Sequence, residues 1–409
     1  MSSNDEIINI LLNNIDFLNI PTKEESTEKK VIGNLYNDLL ISYRNVEKMV
    51  KQNKINIKTI SVHNNNDIPR TDLMDSHFCV KDFKKEVYKK TQKVIVYEFV
   101  LKNINIQIYL NDMSEKKDIT NYTIHHVIAL LDMLFGYVNK KSMKSLKLFL
   151  YLSGKEKTLP NNNVVPINKN NANSAVTYSC SINGEILIFR KEEWLKCLIH
   201  ELFHSLCFDF VGLHSNINVK QYLKNIFCIK SEYLLSETYN EWWATNIHCL
   251  LLSFMMLEKK TNKKECLSFY KLCLTTEQMF TMLQIAKILN HMNMNYAMLI
   301  DKNIDMYIKE NLYKEQTNVF CYYVIKGLLL FYNNDTIKFF KKNNTSLLNF
   351  DKTPQTLKNF LELIKQYHNK KELVTVLKKY EQYYMSLNKN DASLKKLLNT
   401  MMMTINSIG

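Results

Sequence analysis

Seven glycines and five prolines in 409 residues leave this chain few points at which its backbone can turn left-handed or break a helix. A loop-rich sandwich, a collagen and a flexible linker protein are excluded, and long helices are favoured. With 46% apolar residues the chain is too hydrophobic to stay disordered. At this length it can bury one large core or two to three modest ones, so it needs neither a disulfide nor a metal merely to fold.

The balance of 54 Lys+Arg against 40 Asp+Glu gives a formal net charge of +14, which invites a nucleic-acid reading. Arg44, Arg70 and Arg190 are the only arginines, however, and bidentate reading of bases and phosphates relies on the planar fork that lysine lacks. Asparagine makes up about one residue in eight, while Ala, Gly, Pro and Arg are scarce, as an AT-rich coding sequence produces. The lysine excess is therefore read as a solvated surface, with nucleic acid disfavoured as a partner. The runs at 140–147 and 259–264 belong to it.

Nine cysteines show no C-x-x-C pair and an odd count, the pattern of buried, reduced thiols. The first twenty residues mix acidic and amide side chains into their apolar ones, unlike a signal peptide. The nearly uncharged run Trp242–Leu257 is too short to span a bilayer. A cytoplasmic location is expected.

Three segments follow from the patterning. Residues 1–115 read as an N-terminal accessory region: helices around 7–18 and 31–50, then alternating strands within 93–110 turned near Lys102-Asn103. Residues 116–260 hold an apolar helix (122–138), a strand (146–152), an Asn-rich and Pro-punctuated loop (160–173), a strand (185–190) and two long helices. The first of these helices is expected over 191–210, stopped by Gly212, and the second over 232–257. Residues 261–409 read as a C-terminal helical domain. The fold class is α+β, mostly helical.

The first long helix carries His200-Glu201-Leu202-Phe203-His204, an H-E-x-x-H pentapeptide. Residues i and i+4 stand one above the other on a helical face, so both imidazoles reach one cation from the same side. Glu201 projects beside the first of them, where its carboxylate can exchange protons with an activated water. The pentapeptide arises by chance in a chain like this on the order of once in a hundred. Its setting argues further for a metal: Cys197, Leu198, Ile199, Leu202, Phe203, Leu206, Cys207 and Phe208 make the helix apolar nearly all round, and an unpaired buried carboxylate is costly.

A catalytic zinc takes three protein ligands and leaves a position for water. Downstream, Glu237 and Glu241 stand at i and i+4 in Ser236-Glu237-Thr238-Tyr239-Asn240-Glu241-Trp242-Trp243-Ala244. One can bind metal while the other holds the free ring nitrogen of a ligand histidine. At these residues the chain resembles the gluzincin metallopeptidases, in which a glutamate on a following helix completes an H-E-x-x-H site. The resemblance spans about residues 120–257. It implies a zincin-like core made of a backing helix, a small sheet with a substrate-binding edge strand, the motif helix and the glutamate helix. On that pattern His200, His204 and Glu237 bind Zn²⁺, Glu201 is the general base and acid, and Glu241 is the supporting carboxylate. The opposite assignment of the two glutamates stays open, because Glu241-Trp242-Trp243-Ala244 also fits an E-x-x-A pattern.

The coding bias and the run Ile186–Trp194 leading into the motif are similar to zincin-like proteins of large AT-rich DNA viruses, which implies host cytoplasm or virion. The edge strand is expected at 185–190, free to add a peptide or protein substrate as a further strand. Trp242 and Trp243 are expected to pack the two helices together, and His125, His126, His214, His248 and His291 to be core or surface histidines. No one of the 23 tyrosines stands out as an oxyanion partner. The alternative to a zinc metallopeptidase is a catalytically inactive zincin-fold structural or interaction protein.

Overall fold

The computed structural model describes residues 3–14, 18, 20, 26–115, 118–138, 143–213 and 216–407. It is an α+β structure in which helices pack around a six-stranded mixed sheet, and a separate short hairpin, Asn344–Ser346 paired with Asn349–Phe350, interrupts the helices of the C-terminal segment. The strands are β1 (Asn56–Ser61), β2 (Lys93–Leu101), β3 (Ile104–Asp112), β4 (Ser145–Ser153), β5 (Ala175–Thr177) and β6 (Asn183–Arg190), in the order β1-β2-β3-β4-β6-β5. β3, β4 and β6 are parallel neighbours, while β1, β2 and β5 pair antiparallel.

Alternation along each strand divides the apolar residues between two clusters. Leu146, Leu148, Leu150 and Leu152 of β4 join the large helical core, whereas Phe149 and Tyr151 meet Ile68, Leu73, Phe83 and Val87 on the opposite face. A sheet buried on both faces needs this near-continuous apolar reading in its parallel strands. β2 and β3 are joined through Lys102 (φ 47°) and Asn103 (φ 67°), the two left-handed positions that match a two-residue hairpin turn to the strand twist.

The large cluster extends from Ile7 through the sheet and helices to Ile405 and contains residues of all three segments distinguished in the sequence. The helix Ser26–Lys51 packs on the helix Asn121–Phe135, and the helix Trp194–Ser205 lies against β6 and against the helix Leu235–Met256. Among the described residues, no helix is long and apolar enough to cross a membrane.

Several boundaries depart from the sequence reading. The helix expected over 191–210 runs only from Trp194 to Ser205. Cys207 adopts φ 61°, its N–H bonds to His204 O at 3.2 Å, and Phe208 N–H bonds to Phe203 O at 2.9 Å. That pair of bonds is a Schellman ending, completed by the Phe203–Phe208 ring contact at 5.1 Å. A left-handed cysteine therefore stops the helix before Gly212 is reached. The expected edge strand at 185–190 is interior, because β6 is covered by β5, and β5 is the edge strand on that side of the sheet. Three residues are too few to register as a strand in a sequence pattern.

Cys180 and Cys207 form a disulfide between the β5–β6 turn and the end of the motif helix, which corrects the expectation of nine reduced thiols. The helix ending brings them together: Cys180 N–H donates to His204 O at 3.1 Å. Of the expected 7–18 helix the structure has Ser3–Asn13, and residues 15–17 lie outside the described residues. His214 and Lys140–Ser142 also lie outside them, while Lys144, Lys259 and Lys264 are exposed.

Candidate metal centre

The helices Trp194–Ser205 and Leu235–Met256 face each other along one stripe. On the first, Lys196, His200 and His204 recur every four residues; on the second, Glu237 and Glu241 do the same. Contacts alternate between them, so the helices run antiparallel. His204 Nε2 lies 3.4 Å from Glu237 Oε1, His200 Nε2 lies 3.1 Å from Glu237 Oε2, and His200 Nδ1 lies 2.9 Å from Glu241 Oε1. Lys196 Nζ then closes on Glu241 Oε2. The two glutamates thus occupy different sides of the imidazoles: Glu237 the Nε2 side of both rings, Glu241 the Nδ1 side of His200.

His204 Nδ1 faces the carboxylate of Asp209, which also accepts from Asn240 Nδ2 at 2.8 Å. Asp209 is fully buried and reaches the ring because the Schellman ending folds the chain back under the helix. Each imidazole therefore has a carboxylate at Nδ1, which leaves both Nε2 atoms turned to a common point. Among the described residues, His200, His204 and Glu237 form the one group whose ligand atoms lie close enough to hold a metal ion, all within 4.8 Å of one another. Two nitrogens and one carboxylate oxygen on one side of a cleft fit a metal site with an open position.

Electrostatics reinforce the cluster. Burial alone would raise the Glu237 carboxyl, but the imidazoles of His204 and His200 hold it well below the usual carboxylate range. Burial alone would lower His200, but Glu237 and Glu241 raise it to about 9. His204 is likewise raised, by Glu237 and Asp209 against its desolvation. Protons and any metal ion held by this group would compete for the same Nε2 atoms. Glu201 differs: desolvation pushes its carboxyl up, the two imidazoles pull it down, and Glu237 and Glu241 oppose them.

A cleft of about 970 Å³ opens at the cluster and is lined by His200, Glu201, Glu237 and Glu241. Ala175, Val176 and Thr177 of the edge strand form part of its wall, and Tyr322 stands across it with its ring 6.2 Å from that of His200. Tyr322 belongs to a π-helical turn, Phe320–Ile325, a feature frequent at functional sites. Trp242 and Trp243 are fully buried in the aromatic packing beneath the glutamate helix. His126 and His248 are buried, and His126 Nδ1 is bonded to Tyr122 O at 2.8 Å.

The sequence reading omitted Lys196, Asp209, Tyr322 and the strand β5. Lys196 had a signal, its spacing of four before His200. The others depend on a turn, a distant helix and a three-residue pairing that carry none. Comparisons with protein-family profiles, curated proteins and solved structures return no match to this chain.

Proposed function

We propose that the chain is a zinc-dependent metallopeptidase of the gluzincin type, with His200, His204 and Glu237 as ligands, Glu201 as general base and acid, and Glu241 as the carboxylate that orients His200. The observation that carries the reading is the placement of one glutamate between two histidine Nε2 atoms at 3.1 and 3.4 Å, with Glu201 beside them on an open cleft. The succession of the helix Asn121–Phe135, β4, an antiparallel edge strand, the motif helix and the glutamate helix supports a zincin-like core.

Bound zinc would supply Lewis acidity, making water a stronger acid and the substrate carbonyl a better electrophile. The chain's own residues do the rest. Glu201 accepts a proton from the attacking water, whose oxygen bonds to the carbonyl carbon, and later delivers that proton to the nitrogen leaving as the C–N bond breaks. Tyr322, which lines the cleft beside His200, would donate a hydrogen bond to the carbonyl oxygen as it gains negative charge. The outward edge of β5 offers backbone groups to an extended peptide. An inactive scaffold would be favoured by a fourth side chain closing the site; a three-residue cluster on a cleft favours turnover.

The test is Glu201→Gln. The variant should bind one zinc per chain as the wild type does and lose peptide hydrolysis by at least a thousand-fold, while His204→Ala should lose the metal. Wild-type turnover by the Glu201→Gln protein would sink this mechanism.

A further inference from the structure

Lys196 has no exposed surface and Glu241 almost none, although lysine is seldom fully buried unless paired. The lysine lies four residues before His200 on the motif helix and its ammonium binds Glu241 Oε2, while Glu241 Oε1 faces His200 Nδ1 at 2.9 Å. Both oxygens of one carboxylate are thereby committed, one to each side chain, and the carboxylate cannot rotate without breaking a buried contact. On its far side the ammonium meets Met403 Sδ at 3.8 Å. Met403 is pinned in turn: its carbonyl accepts from Lys326 Nζ at 3.0 Å, and its N–H, with that of Thr404, is held by Glu193 at the head of the motif helix. The pair is kept dry by a segment that has no secondary structure of its own.

We propose that Lys196 is a positioning residue for the metal centre: it fixes the carboxylate of Glu241, and through it the ring of His200. A buried ion pair contributes little net stability, since apolar residues of the same volume do as well or better, so folding alone does not account for a lysine here. Its loss would leave Glu241 Oε2 without the ammonium that binds it, so that the carboxylate is free to turn away from His200 and to recruit water. The inference rests on the metallopeptidase reading, in which the His200 ring must present Nε2 to a metal in one fixed orientation.

The experiment compares zinc dissociation constants, by competition with a chromophoric chelator, and cobalt absorption spectra for the wild type, Lys196→Met, Glu241→Gln and the double variant. Lys196→Met is expected to weaken zinc about tenfold, the lower end of the range for direct partners of metal-bound histidines, since it acts through Glu241. The double variant should bind no more weakly than Glu241→Gln alone, because the two side chains act as one unit. Glu241→Gln still offers the Lys196 ammonium an amide oxygen, and the double variant leaves no buried charge at either position, so comparing these two decides the matter even if Lys196→Met does not fold. A wild-type zinc constant in Lys196→Met, or a further tenfold loss in the double variant, overturns the proposal and leaves the metallopeptidase reading standing. A wild-type protein that binds no zinc overturns both.

Discussion

At the scale of the residue, the site is defined by which atom of each side chain is already occupied. Glu241 and Asp209 sit at the Nδ1 atoms of His200 and His204, and this, more than the pentapeptide itself, turns two Nε2 atoms toward Glu237. Tyr322 lines the cleft with its ring 6.2 Å from that of His200, and the proposed mechanism gives it the developing oxyanion. Replacing it by Phe should lower kcat about 100-fold or more, with KM and zinc content nearly unchanged. Steady-state kinetics on a cleaved peptide would check this, and a variant whose loss falls on KM alone would assign Tyr322 to substrate binding. The two motif histidines and the glutamate pair were legible in the sequence because helical spacing alone puts i and i+4 on one face. Asp209 and Tyr322 were not, since their approach depends on a chain reversal and on a helix more than a hundred residues away.

At the scale of the element, close packing between the motif helix and the sheet depends on Gly184. A Cβ there would stand 2.8 Å from Ser205 Oγ and 3.0 Å from Leu146 Cδ1 and Met143 Cε. Gly184→Ala should therefore destabilise the protein by about 1–3 kcal/mol, the usual cost of overpacking, read as a lower urea midpoint with an unchanged m-value. A second prediction concerns Glu192, just before the motif helix. Burial and the neighbouring Glu193 push its carboxyl up to about 7, against Lys157 N–H, which donates to it at 2.6 Å. A folded pKa above the unfolded value means that stability is fully present below about pH 4.5 and is lost as pH rises through about 7. Glu192→Gln keeps the hydrogen-bond acceptor and removes the titration. Its advantage over the wild type should thus be small at pH 4.5 and grow to about 1–3 kcal/mol by pH 8, less where water screens the partly exposed group. Equal urea midpoints at pH 8 would rule this out.

At the scale of the whole molecule, one apolar cluster joins residues from Ile7 to Ile405, with a second on the other face of the sheet. A core of that extent does not need a metal to hold it. Chelation should abolish hydrolysis and leave the far-ultraviolet circular dichroism unchanged. Tm should fall only by the binding linkage, which amounts to about 2.7 kcal/mol at a hundredfold excess of zinc over its Kd. Unfolding on chelation would show the metal to be structural. The same continuity explains why the segment around Met403 contributes to the site: the extended strap at 400–406 is bound by side chains of the buried helices, with Gln284, Lys287, Lys326 and Glu277 satisfying its backbone.

Legible in the sequence alone were the helical bias, the apolar strands, the β2–β3 turn and the two i, i+4 pairs, His200 with His204 and Glu237 with Glu241. All of these are properties of local spacing, which repeats every two or 3.6 residues and can be read without knowing what the segment touches. The tertiary structure decided the rest. It set which glutamate meets both Nε2 atoms, which strand is left as the edge, and that Cys180 meets Cys207. It also showed that a lysine within an apolar helix has a carboxylate partner 45 residues on. These outcomes depend on how elements distant in the chain are brought into register, and that is decided by the packing of the core rather than by the pattern of any one segment.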